Sequence, residues 1–108
     1  MSAPEPTDAW LIQQSFSDSA WFGLLFARHY DSVHRFVARQ IGSTAADDVT
    51  QDAFLVAWDH RDRYDPERAD ARPWLFGIAH NLVLREYRRA RRKTQAVGRL
   101  RHAVATTS

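Results

Sequence analysis

The 108-residue chain contains no cysteine, which excludes a disulfide framework, cysteine-ligated zinc and a thiol nucleophile at once. Glycine and proline are sparse, with four of each. They form no glycine-rich phosphate loop, and neither an alternating strand pattern nor an internal repeat is present. Long apolar runs are missing too. The longest, Trp21 to Ala27, is closed by Arg28, well short of the roughly 20 residues that cross a bilayer. Glu5 and Asp8 stand near the start, but no Lys or Arg precedes an apolar stretch, so no secretory signal and a cytoplasmic protein without membrane contact are expected. His29, His34, His60, His80 and His102 are dispersed, and none belongs to a metal-binding helix pair. A serine triad need not show itself in neighbouring residues, yet nothing favours one: no metal, no cofactor, no catalytic residue and no enzymatic turnover are expected.

What is present is the material of one helical domain. Apolar residues make up 44% and charged residues 26%, a balance that folds around a single core at this length. The net charge of +2 conceals a division. Residues 1–60 hold 3 basic and 8 acidic side chains, whereas residues 61–108 hold 12 and 5, a balance of −5 against +7. Such polarity fits two partners, a polyanion for the second half and something basic or polar for the first. Charges that merely solvate helix faces are the plainer alternative.

Residues 1–16 read as an N-terminal tail: a frayed start over 1–7 with Pro4 and Pro6, then a short helix from Asp8 to Ser15 carrying Trp10, Leu11 and Ile12. Ser17 and Asp18 offer N-cap oxygens to a long helix in which Phe22, Leu25, Phe26, Tyr30, Val33, Val37 and Ile41 recur at helical spacing. Gly42 should end it in the left-handed conformation. Ser43 or Thr44 should cap the next helix, with Thr44 and Asp47 close to a capping box. That helix should reach about Arg61, with Val49, Ala53, Val56 and Ala57 buried and Phe54 and Trp58 widening the apolar surface. Asp62 to Asp70, with Asp65-Pro66, is a loop. Asp70 should cap a third helix that tolerates Pro73 in its first turn and buries Leu75, Ile78, Ala79 and Leu82. The apolar period fades beyond about Arg92, so 17–93 forms the helical domain and 94–108 a basic and polar linker-like tail. The expected fold is all-α, a compact bundle of three main helices with a short N-terminal one.

In the third helix Asn81, Arg85, Arg88 and Arg92 follow one another at spacings of 4, 3 and 4, which puts them on one face. A guanidinium presents a fixed fork of donors to phosphate, and an Asn amide can both donate and accept at a base edge. From Arg85 to Arg101 there are eight basic side chains against Glu86 alone, more than complementing a helix dipole requires. If four of them met single-strand phosphates, log affinity would fall against log salt with a slope of about −3. Tyr64, Trp74 and Phe76 lie close by, and unpaired bases stack on such rings. Phe76, and to a lesser degree Trp74, could equally be core. On the second helix Asp48, Gln51, Asp52, Leu55 and Asp59 share a face with Trp58 at its margin, like the rim and centre of a protein interface.

The run Asp47-Asp48-Val49-Thr50-Gln51-Asp52-Ala53-Phe54-Leu55-Val56-Ala57-Trp58, followed after the loop by Arg72-Pro73-Trp74-Leu75-Phe76-Gly77-Ile78-Ala79-His80-Asn81-Leu82, resembles region 2 of the extracytoplasmic-function (ECF) group of RNA polymerase sigma factors. The likeness spans Ala20 to Arg92 and includes Tyr30 and Arg35-Phe36. It implies a domain that binds core RNA polymerase and recognises and melts the −10 promoter element. Asp48, Gln51, Asp52, Leu55 and Trp58 would meet the clamp helices of the polymerase β′ subunit. Arg63, Tyr64 and Asp65 would line a pocket for a base flipped from the non-template single strand. Asn81 would read an adjacent base, with Arg85 and Arg88 on phosphates and Trp74 and Arg92 beside them. An anti-sigma factor commonly masks these surfaces in the family. Asp52 stands where the family usually has Glu, and the family continues into a second module for the −35 element, so the chain is expected to be an excised piece or a short form. The alternative from another class is a helical interaction module that sequesters a regulator without binding DNA.

Overall fold

The computed structural model describes residues 5–107. The expected frayed start at 1–7 therefore lies largely outside the described residues, as does Ser108 of the expected tail. Four helices follow in order: α1 (Asp8–Gln14), α2 (Ala20–Ile41), α3 (Ser43–Asp59) and α4 (Arg72–Thr106), with a short 3-10 turn at Arg61–Arg63. No strand occurs among the described residues. The all-α bundle expected from periodicity is what forms.

Local chemistry sets most of the boundaries. The Trp10 N–H donates to Thr7 Oγ1 at 3.1 Å and so caps α1. The Ala20 N–H donates to Asp18 Oδ1 at 3.0 Å at the start of α2. Gly42 has positive φ as expected, but with φ 85° and ψ 161° it is extended rather than left-handed helical. Only glycine enters that region freely, and it turns the chain from α2 into α3 in a single residue. The expected caps at Ser43 and Thr44 are not made for the same reason: Ser43 is already helical, and no side-chain cap forms. Asp47, freed from a capping box, sits with Oδ1 2.7 Å from His34 Nε2 on α2.

The core is shared by α2 (Phe22, Leu25, His29, Val33, Val37), α3 (Ala46, Val49, Thr50, Ala53, Phe54, Ala57) and α4 (Leu75, Ala79, Val83), with Leu11 and Ile12 of α1 closing one end. Leu11, Leu25 and Leu75 are at most 1% exposed, so each contributes about 1.5–3 kcal/mol by burial. The α2 stripe departs from expectation, with Tyr30 and Ile41 only half-buried. His29 is buried there, while Phe26 remains 38% exposed. Phe54 is core rather than margin, and Val83 extends the α4 stripe that Ile78 and Leu82 only partly enter.

Residues 94–108 are expected to be a basic and polar, linker-like tail. Helix continues through them to Thr106, giving α4 35 residues, a rod of about 52 Å at 1.5 Å per residue. Every residue from Tyr87 to Thr107 is exposed, so the apolar period fades where core contact ends, while the helix itself continues. Gln95, Ala96, Arg99, Leu100, Arg101, Ala103 and Ala105 are strong helix formers, and they carry the helix across the weaker Thr94, Val97, Gly98, His102 and Val104. The rod explains why the molecule measures 77 × 26 × 21 Å.

Candidate functional site

Asp48, Gln51, Asp52, Leu55 and Asp59 of α3 are all exposed, as their spacing requires. The helices on either side nevertheless divide them. Towards α2, Gln51, Leu55 and Trp58 join Phe22, Gly23, Phe26 and Phe54 around a groove of about 560 Å³. Leu55 is 61% exposed at its lip. An apolar side chain left so open beside aromatic walls has the make-up of an interface centre. Trp58 is held from behind, with the Phe22 ring edge-on at 5.2 Å and the Arg61 guanidinium 3.6 Å above its own ring. Towards α4, Asp52 shares a hollow of about 640 Å³ with Leu82, Arg85, Glu86, Arg88, Arg89 and Arg92. Asp48 lines neither.

On α4, Asn81, Arg85, Arg88 and Arg92 are exposed together, and the three arginines converge on that second hollow. Arg89 is occupied by Glu86 at 3.2 Å. Arg85, Arg88 and Arg92 form no ion pair among the described residues. Four guanidiniums against the carboxylates of Asp52 and Glu86 leave the furrow net positive, and that concentration of charge attracts an anion.

Loop residues Arg63, Tyr64, Asp65, Arg68 and Asp70 meet Pro73 and Trp74 around a third hollow of about 300 Å³. That is the low end of small-ligand pockets, and a nucleobase is smaller than most such ligands. Tyr64, expected in the loop as a ring on which a base could stack, is 7% exposed and belongs to the core. Its hydroxyl donates to the Arg68 carbonyl and its ring meets Trp74 edge-on at 5.0 Å. Burial raises the pKa of Tyr64, nearby Asp8, Asp70 and Asp65 raise it further, and Arg68 opposes them; the group stays a neutral donor. It is a wall of the hollow, and half-buried Trp74 is the more open of the two rings. Phe76 stacks on Phe36 at 5.0 Å, in keeping with the core alternative.

One cluster escaped sequence reasoning altogether. Asp8 is 4% exposed. Its Oδ1 accepts from Arg28 Nη1 at 2.9 Å, and its Oδ2 accepts from the Ala71 N–H at 2.7 Å and lies 2.8 Å from His29 Nε2. Burial works against ionisation, but hydrogen bonds from Ala71, Arg28 and His29 outweigh it and hold the carboxyl below its ordinary 3.8. Asp8, His29 and Asp70 bring potential metal ligands within 4.8 Å of one another. Both Asp8 oxygens already accept from donors, and Arg28 places a positive charge beside them, so this geometry is a structural clamp. A signal for it existed: His29 falls in the register of Phe22, Leu25, Val33 and Val37, where an apolar residue would be expected.

Residues 25–93 match the family model described as Sigma-70 region 2. The chain belongs to that family. Among its relatives, the RNA polymerase sigma factor CnrH of Cupriavidus metallidurans is 41% identical over 88 residues, covering 79% of this chain and 45% of the relative. The ECF RNA polymerase sigma factor SigL of Mycobacterium tuberculosis is 34% identical over 76 residues, covering 69% and 43%. The ECF RNA polymerase sigma factor BldN of Streptomyces coelicolor is 32% identical over 71 residues, covering 65% and 27%. These names agree with the ECF resemblance read from the α3 and α4 motifs. The chain spans less than half the length of these relatives. The sigma-70 region 2 match takes in every residue assigned above to a polymerase or DNA contact, whereas α1 lies outside it. Among the described residues, no helix is long and apolar enough to cross a membrane.

Proposed function

We propose that this sigma-70 region 2 domain serves transcription initiation by holding core RNA polymerase with α3 and separated −10 promoter DNA with α4 and the loop before it. Gln51, Leu55 and Trp58 in the apolar groove, with Asp48 and Asp52 outside it, meet the β′ clamp helices. The hollow of Arg63, Tyr64, Asp65 and Trp74 takes a base flipped from the non-template strand. Asn81 reads its neighbour, and Arg85, Arg88 and Arg92 hold phosphates. Stacking and pocket contacts offset the few kcal/mol that unstacking a base costs. The domain does this without turnover, as a non-enzymatic factor acting with polymerase in the cytoplasm. An anti-sigma factor that covered these surfaces would compete with both partners.

The observation that carries this reading is the set of three unpaired arginines converging on one furrow, one helix away from an open aromatic groove. A module that only sequesters a regulator would use the groove and leave the furrow unexplained. The deciding experiment is a pull-down of core RNA polymerase with the wild type and with Gln51→Ala and Asp52→Ala combined. Capture by the wild type and loss in the double variant is expected. No capture by the wild type overturns the reading, and equal capture moves the contact away from α3. Single-stranded oligonucleotide binding should also weaken steeply with salt, which a pure protein binder would not show.

A further inference from the structure

The loop from Arg61 to Ala71 is gripped at both ends by the N-terminal segment, which lies outside the family match. At its start, Arg61 Nε donates to Ser15 Oγ at 3.1 Å, and the same guanidinium lies 4.6 Å from the centre of the Phe16 ring. At its end, the Ala71 N–H donates to Asp8 Oδ2 at 2.7 Å, while the Asp8 N–H donates to the Ala69 carbonyl at 3.0 Å. Between those ends, Ile12, Gln13 and Phe16 face Arg61, Tyr64 and Pro66 across a hollow of about 280 Å³. Tyr64 therefore separates this hollow from the one also walled by Trp74. The segment is itself anchored by buried Leu11 and Ile12 and by the Arg28 pair to Asp8.

The loop's internal bonds do not replace this grip. Asp65 accepts from the Glu67 N–H at 3.0 Å, and the Arg68 N–H donates to the Asp65 carbonyl at 3.1 Å. These close a turn, but they do not orient it on the bundle. A site that discriminates bases must hold its walls to within about 0.5 Å.

We infer that α1 and the residues flanking it are a clip that sets the shape of the base pocket, with Asp8 and Phe16 as positioning residues for base selection. This rests on the proposed function for the pocket itself. The clip lines neither the aromatic groove nor the arginine furrow; its one link to the groove runs from Phe16 through Arg61 to Trp58, and Asp8 stands apart from that link. Loosening it at Asp8 should therefore change which base is preferred without changing polymerase capture, and loosening it at either end should leave salt dependence unchanged.

The test uses the full chain and a randomised single-stranded DNA pool, from which the wild type selects a preferred base; matched and mismatched oligonucleotides then give a selectivity ratio. Asp8→Asn keeps the side chain's size but weakens its acceptors, and Phe16→Ala removes a half-exposed ring without opening the core. Each should lower the ratio, by roughly tenfold for Asp8→Asn, the size expected for one charge-assisted hydrogen bond. The salt slope should stay at its wild-type value in both variants, and in Asp8→Asn polymerase capture should stay at its wild-type value while the Ala71 amide exchanges faster. If Asp8→Asn fails to fold, Phe16→Ala carries the test. An unchanged ratio, or equal loss on every sequence, overturns the clip. A wild type that binds single strands without base preference overturns the pocket reading and the clip with it, whereas selectivity that survives both variants overturns the clip alone.

Discussion

The exposed faces of α3 and α4 are built on the same core and differ in almost everything else. The α3 face opens onto aromatic rings and an unprotected leucine, whereas the α4 face opens onto four guanidiniums, of which Arg89 is paired with Glu86 and Arg85, Arg88 and Arg92 form no ion pair among the described residues. An apolar groove gains by excluding water and needs a partner of matching shape. A positive furrow gains by releasing counterions and needs only a polyanion. The two surfaces thus answer to different solution conditions, although Asp52 borders one of them and belongs by sequence to the other.

The largest effect should come from breaking what both faces share. Leu75→Ala removes a fully buried α4 side chain and should cost about 2–5 kcal/mol in denaturant unfolding. Polymerase capture and oligonucleotide binding should fall together; loss of only one would mean that the faces do not depend on a common core. Next, the α4 face can be divided within itself. Asn81→Ala should cost about 1–3 kcal/mol on preferred sequences and little on others, while Arg88→Ala should weaken binding uniformly and make the log-log salt slope shallower by about 0.7. Uniform loss from Asn81→Ala would assign it to phosphate rather than base.

Acid offers a third handle, at the loop rather than at either face. The folded pKa of Asp8 is lowered, so its stabilisation is present above the ordinary value of 3.8 and is lost as pH falls through the lower folded value. Tm should therefore drop as pH falls from about 5 through the ordinary value and below it, and Asp8→Asn should narrow that drop; an equal drop in both proteins would place the acid sensitivity elsewhere. The smallest effect should sharpen the boundary between the faces. Asp52→Ala alone removes a negative charge bordering the arginine furrow, so oligonucleotide affinity should rise by about 0.5 kcal/mol while polymerase capture weakens. A fall in both would remove Asp52 from the boundary.

Periodicity made the helices legible because core contact demands apolar residues every three or four positions, and that demand is written locally. It also placed Asn81, Arg85, Arg88 and Arg92 on one face, since helical spacing alone fixes that relation. Local pattern failed where a distant segment decided the outcome. Tyr64 stands in a polar loop with no apolar period around it, and the packing of α4 and the N-terminal segment buries it. Asp8 looked like an ordinary first-turn acid, and only the fold brings Ala71 to its carboxylate from 63 positions away. The end of α4 was missed for a different reason: helix propensity continued after the apolar period that marks core contact had stopped.

From its residues alone, this protein was bound to be helical, polarised in charge and akin to a sigma region 2, because each of these depends on composition or on neighbours within a few turns. The tertiary structure alone decided that α2 and α4 part the α3 face between an aromatic groove and an arginine furrow. It alone decided that a short N-terminal helix grips the loop at both ends. Those outcomes depend on which surfaces meet across the core, and contacts between residues far apart in the chain leave no spacing in the sequence from which they could be read.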